Sequence, residues 1–163
     1  MCGGAGFARS LLIMDLPHGE LTGRIIAGFH ETFDELGSGF SERVCTRALA
    51  IVLADQGLAV SLEVPLVVEF RGRTIGTFQA DMVVESTVLV EVKASAMLDG
   101  YAQAQLLNYL KAAGGGVGLL LNFGRHPQHK RMVMGDPVNS LPLLRRDAGH
   151  SRTATEETRK RHC

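Results

Sequence analysis

Three features of the chain predict an α+β or α/β domain. Two helical periodicities open it, β-branched extended runs fill its middle, and a strand–helix–strand crossover follows them. The crossover is right-handed in nearly all proteins and makes its two strands parallel, so the sheet is expected to be mixed.

The chain has 163 residues, a length that suits one domain with a real core. Residues 1–19 read as a loosely attached, flexible extension, glycine-rich and then Pro17-His18-Gly19, in which Met14 offers an alternative native start. Over residues 20–36, Leu21, Ile25, Ile26, Phe29, Phe33 and Leu36 recur at three- and four-residue steps, and Gly37-Ser38-Gly39 stops the helix. His30 on this helix reads as a half-exposed histidine rather than a ligand.

A second helix is expected over residues 40–56, with Gly57 as its stop. At 100° per residue Glu42 falls on the stripe of Cys45, Leu49 and Leu53, while Arg43 and Arg47 face elsewhere. Burying a lone carboxylate is costly. Glu42 therefore either complements the helix dipole at the edge of the stripe or has a function there.

Residues 58–63 and 66–70 are short extended runs around Pro65, and Arg71-Gly72-Arg73 is a turn. Residues 74–84 and 88–93 follow as strands. A hairpin centred on Ser86 sets Asp81 directly opposite Glu91 and puts both on one face with Lys93. Opposed side chains lie about 5 Å apart, where two carboxylates repel by roughly 3 kcal/mol at an effective dielectric near 20. A divalent cation would offset that repulsion, and hard oxygen ligands suit magnesium or manganese. The plainer alternative is a solvated face with Lys93 neutralising one acid.

The third helix is expected over residues 99–113, ending in Gly114-Gly115-Gly116. Gln103, Leu106, Leu107 and Leu110 form one side; Tyr101, Gln105, Asn108 and Tyr109 form the other, with Gln105 and Tyr109 adjacent. The run VGLLLNF over 117–123 reads as a strand buried on both faces and parallel to Val88–Lys93. Residues 122–131 then read as a basic loop in which Arg125, Lys130 and Arg131 are candidate phosphate contacts, with His126 and His129 beside them. Residues 132–134 make a last short strand. The polar, basic stretch that closes the chain, 138–163, reads as a disordered tail.

Bulk properties exclude several classes. Lys plus Arg equals Asp plus Glu at 17 each, which argues against a nonspecific nucleic-acid coat while leaving room for a local basic groove. Three widely spaced cysteines, Cys2, Cys45 and Cys163, form no disulfide framework or zinc motif and fit a reducing cytoplasm. No apolar run reaches membrane-spanning length. There is no P-loop and no Ser-His-Asp or Cys-His set.

Glu42, Asp81, Glu91-Val92-Lys93 and Gln105-Leu106-Leu107-Asn108-Tyr109, taken in order, resemble the motifs of the PD-(D/E)XK nuclease superfamily. The likeness is strongest to its RecB-like branch, and within it to the small bacterial GxxExxY proteins. It rests on ELGSGFSERVC, VEVKA, QLLNYLK and VGLLLNFG and covers roughly residues 21–134. It implies a restriction-endonuclease-like βββαβ core within a domain spanning 20–137, and a magnesium- or manganese-dependent phosphodiesterase acting on nucleic acid, preferentially DNA, in repair or defence.

By that resemblance Asp81 and Glu91 are metal ligands, helped by the Val92 carbonyl. Glu42 reaches the metal directly or through water. Lys93 orients or deprotonates the attacking water and stabilises the phosphorane, and Gln105 and Tyr109 position the site and the substrate backbone. Two departures stand out. Cys45 replaces the family tyrosine, and Ala80 replaces the proline of the nominal motif. The rival expectation is an inert module of the same fold that binds nucleic acid or a protein partner. Oligomeric state is open, a homodimer included.

Overall fold

The computed structural model describes residues 16–135. The expectations for residues 1–15 and for the 138–163 tail lie outside them. Eight elements follow in order: α1 (Gly19–Leu36), α2 (Glu42–Asp55), β1 (Val60–Phe70), β2 (Arg73–Val84), β3 (Val88–Lys93), α3 (Gly100–Ala112), β4 (Gly116–Asn122) and β5 (Gln128–Met134).

The strands form one mixed sheet in the order β1-β2-β3-β4-β5. Only β3 and β4 are parallel, with Lys93 beside Asn122; the other neighbours are antiparallel. The β3–α3–β4 crossover is thus the expected one, and β1, β2, β3, α3 and β4 make a βββαβ core flanked by helices. Pairs Val84↔Val88, Val83↔Leu89 and Met82↔Val90 centre the β2–β3 hairpin on Ser86.

Helices cover both sheet faces. Ile25 and Phe29 of α1 and Cys45, Leu49 and Leu53 of α2 pack with Met82, Val84, Val88, Val90 and Val92 on one side. On the other, Ala102, Leu106, Tyr109 and Leu110 of α3 pack with Val83, Leu89 and Leu120. All of β4 is buried, as its unbroken apolar run requires. Gly118 is what lets α3 lie close, since a Cβ there would sit 2.9 Å from Leu106 Cδ1. Ser41 and Asp99 cap the starts of α2 and α3, accepting the N–H groups of Val44 and Ala102. No helix among the described residues is long and apolar enough to cross a membrane.

Three expectations are corrected. The two extended runs around Pro65 are one strand, β1. As an edge strand it tolerates a proline that donates no hydrogen bond. The basic loop is shorter than its charges suggest, because β5 begins at Gln128 and pairs along the whole of β4; Lys130 and Arg131 are strand residues. Tyr109 belongs with the buried face of α3, 8% exposed beside Leu106 and Leu110. A helix wedged onto a twisted sheet buries more than the stripe its leucines mark.

Candidate functional site

Asp81 and Glu91 meet where the β2–β3 ladder stops. Its last regular pair is Met82↔Val90. One step beyond, the Val92 N–H donates to Asp81 Oδ2 at 2.8 Å, so a side chain takes the place of a backbone acceptor. This bond holds the carboxylate across the hairpin, against β3.

Glu91 lies on the same sheet face as Leu89, beneath α3, and its side chain is 3% exposed. Its Oε1 accepts Lys93 Nζ at 2.9 Å, the pairing expected of side chains two apart on a strand. Its Oε2 is buried with no hydrogen-bond partner among the described residues. Burial, and next the charge of Asp81, push the Glu91 carboxyl up to about 7 against the opposing pull of Lys93. Burial also raises Asp81; the Val92 N–H and Lys93 oppose it, while Glu42 and Glu63 add to it. Lys93 would be lowered by its burial, but the bond to Glu91 and the charges of Glu91, Glu42 and Asp81 outweigh that and hold its ammonium above the usual range.

Glu42 is the first residue of α2 and is exposed rather than buried in the apolar stripe. It nonetheless lies close enough for its charge to act on Asp81, Glu91 and Lys93. Gln105 Nε2 donates to Tyr109 Oη at 2.7 Å, and the phenol, raised by its burial, feels the charges of Glu91, Lys93 and Asp81. Cys45 is a buried thiol raised by desolvation, a small core residue of α2.

The remaining candidates disperse. Arg125 is exposed in the β4–β5 connection. Lys130 donates to Gln103 of α3. Arg131 is committed to the Pro17 carbonyl just before α1, with its Nε buried and without a partner among the described residues. A basic loop grouped these three by sequence; a strand sends alternate side chains to opposite faces and separates Lys130 from Arg131.

Two residues of the surroundings escaped the sequence reading. Glu63 adopts φ 53° within β1 and adds to the field at Asp81. Nothing in the sequence signals a glutamate with positive φ. Asn122 is buried at the end of β4; its Oδ1 accepts Ser95 N–H at 3.0 Å and its Nδ2 donates to Ser95 O at 2.9 Å. That amide clamp fixes the segment following Lys93. One polar residue closing an otherwise apolar buried strand was the available signal.

Two carboxylates, one with a buried uncommitted oxygen, fit a hard divalent cation. Among the described residues no group of three or more His, Cys, Asp or Glu side chains is arranged to hold an ion. Asp81 and Glu91 are a candidate carboxylate pair, and magnesium, which keeps several waters, commonly takes one or two protein carboxylates.

No curated protein matches the chain. Among solved structures, the crystal structure of SSO0001 aligns at 18% identity and a TM-score of 0.47, over 64% of this chain and 55% of that one. The chain thus spans little more than half of that protein's length. The model of the PD-(D/E)XK nuclease superfamily, in contrast, matches residues 19–132, from the first residue of α1 to β5, and so takes in the whole βββαβ core and every acid of the site. The chain belongs to the PD-(D/E)XK nuclease superfamily.

Proposed function

We propose that the protein is a divalent-metal-dependent nuclease that hydrolyses phosphodiester bonds in DNA, working in repair or defence, and that it falls in the GxxExxY group of the RecB-like branch. One observation carries the reading: the Glu91 carboxylate is buried beside Asp81 with Oε2 unpartnered. A buried polar atom without a partner costs about 1–3 kcal/mol, more when charged, and a chain that keeps one there has a use for it.

Asp81 and Glu91 would hold Mg²⁺ or Mn²⁺, with the Val92 carbonyl and, through water, Glu42 completing the protein's share. When bound, the cation supplies Lewis acidity toward a phosphoryl oxygen and a more acidic water. Lys93, kept protonated by the surrounding acids, acts as a fixed positive charge that stabilises a phosphorane rather than as the base. Gln105 and Tyr109 hold each other at the site's edge and position the backbone of the substrate. Arg125, exposed in the β4–β5 connection, is the candidate for a more distant phosphate.

Calorimetry with Mg²⁺ or Mn²⁺, followed by cleavage of labelled oligonucleotides, tests the proposal. Wild type should bind metal and cut; Asp81→Asn and Glu91→Gln should lose both. Metal binding without cleavage of any DNA or RNA would sink the enzymatic reading and leave a binding module.

A further inference from the structure

The β1–β2 hairpin runs well past the rest of the sheet. Every residue from Glu69 to Gln79 is exposed, whereas from Ala80 onward β2 is buried apart from the half-buried Asp81. The projecting ribbon stays paired up to its tip, where Phe70 pairs with Arg73 across Arg71 (φ 50°) and Gly72 (φ 74°). Two successive positive φ values mark the tight two-residue turn that matches strand twist.

Its side chains are unusual for a solvated hairpin. Phe70 is 59% exposed and Ile75 65%. Ile75 is the extra residue of a β-bulge, since the register passes from Val68↔Gly76 to Glu69↔Thr74. The Arg71 guanidinium lies over the Phe70 ring, 5.3 Å from its centroid, and Arg73 stands opposite Phe70. Two strands with apolar groups left in water are marginal alone, so this ribbon is built for a partner.

Continuity with the site and charge at the tip identify that partner. At the ribbon's base Phe78 packs on Tyr109, with ring centroids 5.3 Å apart, and Asp81 lies three residues further along β2. From Arg73 to Asp81 the strand covers roughly 26 Å at about 3.3 Å per residue. That equals roughly eight base pairs of duplex at about 3.4 Å each. A second copy joining edge to edge is opposed by β1 itself, where Glu63 has a positive φ and Pro65 has no N–H to give.

We propose that the β1–β2 ribbon enters the major groove of duplex DNA, with Arg71 and Arg73 on flanking phosphates and Phe70 and Ile75 against base edges. A two-stranded ribbon fits the major groove of B-form DNA, and apolar side chains there meet thymine methyls. The deep, narrow major groove of A-form RNA shuts it out. The inference rests on the nuclease reading and narrows its substrate to duplex DNA.

The test is fluorescence anisotropy of the full chain with a labelled DNA duplex and an RNA duplex of matching sequence, in EDTA and across a salt series. Wild type should prefer the DNA duplex. Phe70→Ser should weaken binding by about tenfold with the salt slope unchanged. Arg71→Asn with Arg73→Ser should flatten the slope by about 2, roughly 0.9 for each phosphate contact. Asparagine accepts the positive φ of position 71, so the turn survives; unchanged manganese binding confirms that the distant site is intact.

Equal binding of RNA and DNA duplexes, or tip variants that bind as wild type does, would overturn the ribbon's role. So would light scattering that shows a wild-type dimer dissolved by Phe70→Ser. Wild type that binds no duplex overturns it too. Cleavage of single-stranded oligonucleotides, lost in Asp81→Asn, would in each case leave the nuclease reading standing.

Discussion

The Asp81 carboxylate accepts the Val92 backbone N–H at 2.8 Å, one step past the last regular pair of the β2–β3 hairpin. One side chain therefore stands in for a strand contact and places a negative charge against Glu91. The two tasks can be separated by mutation. Asp81→Asn keeps an acceptor for Val92 and removes the charge; its melting temperature should stay near wild type while metal binding disappears. Asp81→Ala strands a part-buried N–H and should cost about 1–3 kcal/mol in urea denaturation.

The raised Glu91 carboxyl makes stability depend on pH. Its folded value of about 7 lies above the unfolded value of 4.5, so the folded state binds the proton more tightly. Stability is then fullest below pH 4.5 for this group and is lost as pH rises to about 7, by on the order of 3 kcal/mol in all. Glu91→Gln should abolish that dependence and be more stable than wild type at pH 8 without metal. Denaturation of both proteins at pH 5 and pH 8 checks this; parallel pH profiles would contradict it. Mn²⁺ favours the ionised form, so it should raise the wild-type melting temperature more at pH 8 than at pH 5.

Lys93 is the countercharge of a buried acid. Lys93→Met leaves Glu91 with neither oxygen bonded among the described residues and should drive its carboxyl still higher, since burial and the charges of Asp81 and Glu42 then act on it unopposed. NMR titration of the glutamate carboxyl should register the rise. Metal affinity at neutral pH should fall through proton competition and recover at pH 9, while cleavage stays lost at both.

Much of this arrangement could be read from the chain, and the reasons differ by element. Period-two alternation and a three-residue turn were enough to pair Asp81 with Glu91, because a hairpin register has one free parameter, its centre. Where α3 presses on the sheet is not encoded in its leucines, so Tyr109, which periodicity assigns to the other side, is buried. A basic stretch reads as a loop because charge shows solvent exposure but not backbone conformation; β5 is an edge strand and is both charged and extended. Glu63 and the bond from Val92 to Asp81 depend on backbone detail that residue type does not carry.

The Asn122 clamp and its neighbour Gly124 yield a prediction about the segment after Lys93. A Cβ on Gly124 would stand 2.0 Å from the Ser95 carbonyl oxygen, a clash with backbone that no rotamer relieves. Gly124→Ala should destabilise by about 1–3 kcal/mol through forced backbone movement. Asn122→Ala should cost about as much by leaving both Ser95 backbone groups unpaired. Amide hydrogen exchange should show the Ser95 N–H deprotected in both variants; retained protection would show that other contacts hold the segment.

The parallel pairing of β3 with β4 has a consequence for how the chain is made. When the β2–β3 hairpin leaves the ribosome, one edge of β3 has no neighbour until α3 and then β4 have followed, an interval of seconds at about 5–20 residues per second. In that interval Val88–Lys93 is an open template for any other extended chain. Glu91 and Lys93 are its only charges. The two residues proposed for phosphodiester chemistry would thus also serve as gatekeepers of a nascent edge, and replacing both by apolar residues should make the polypeptide aggregate during synthesis.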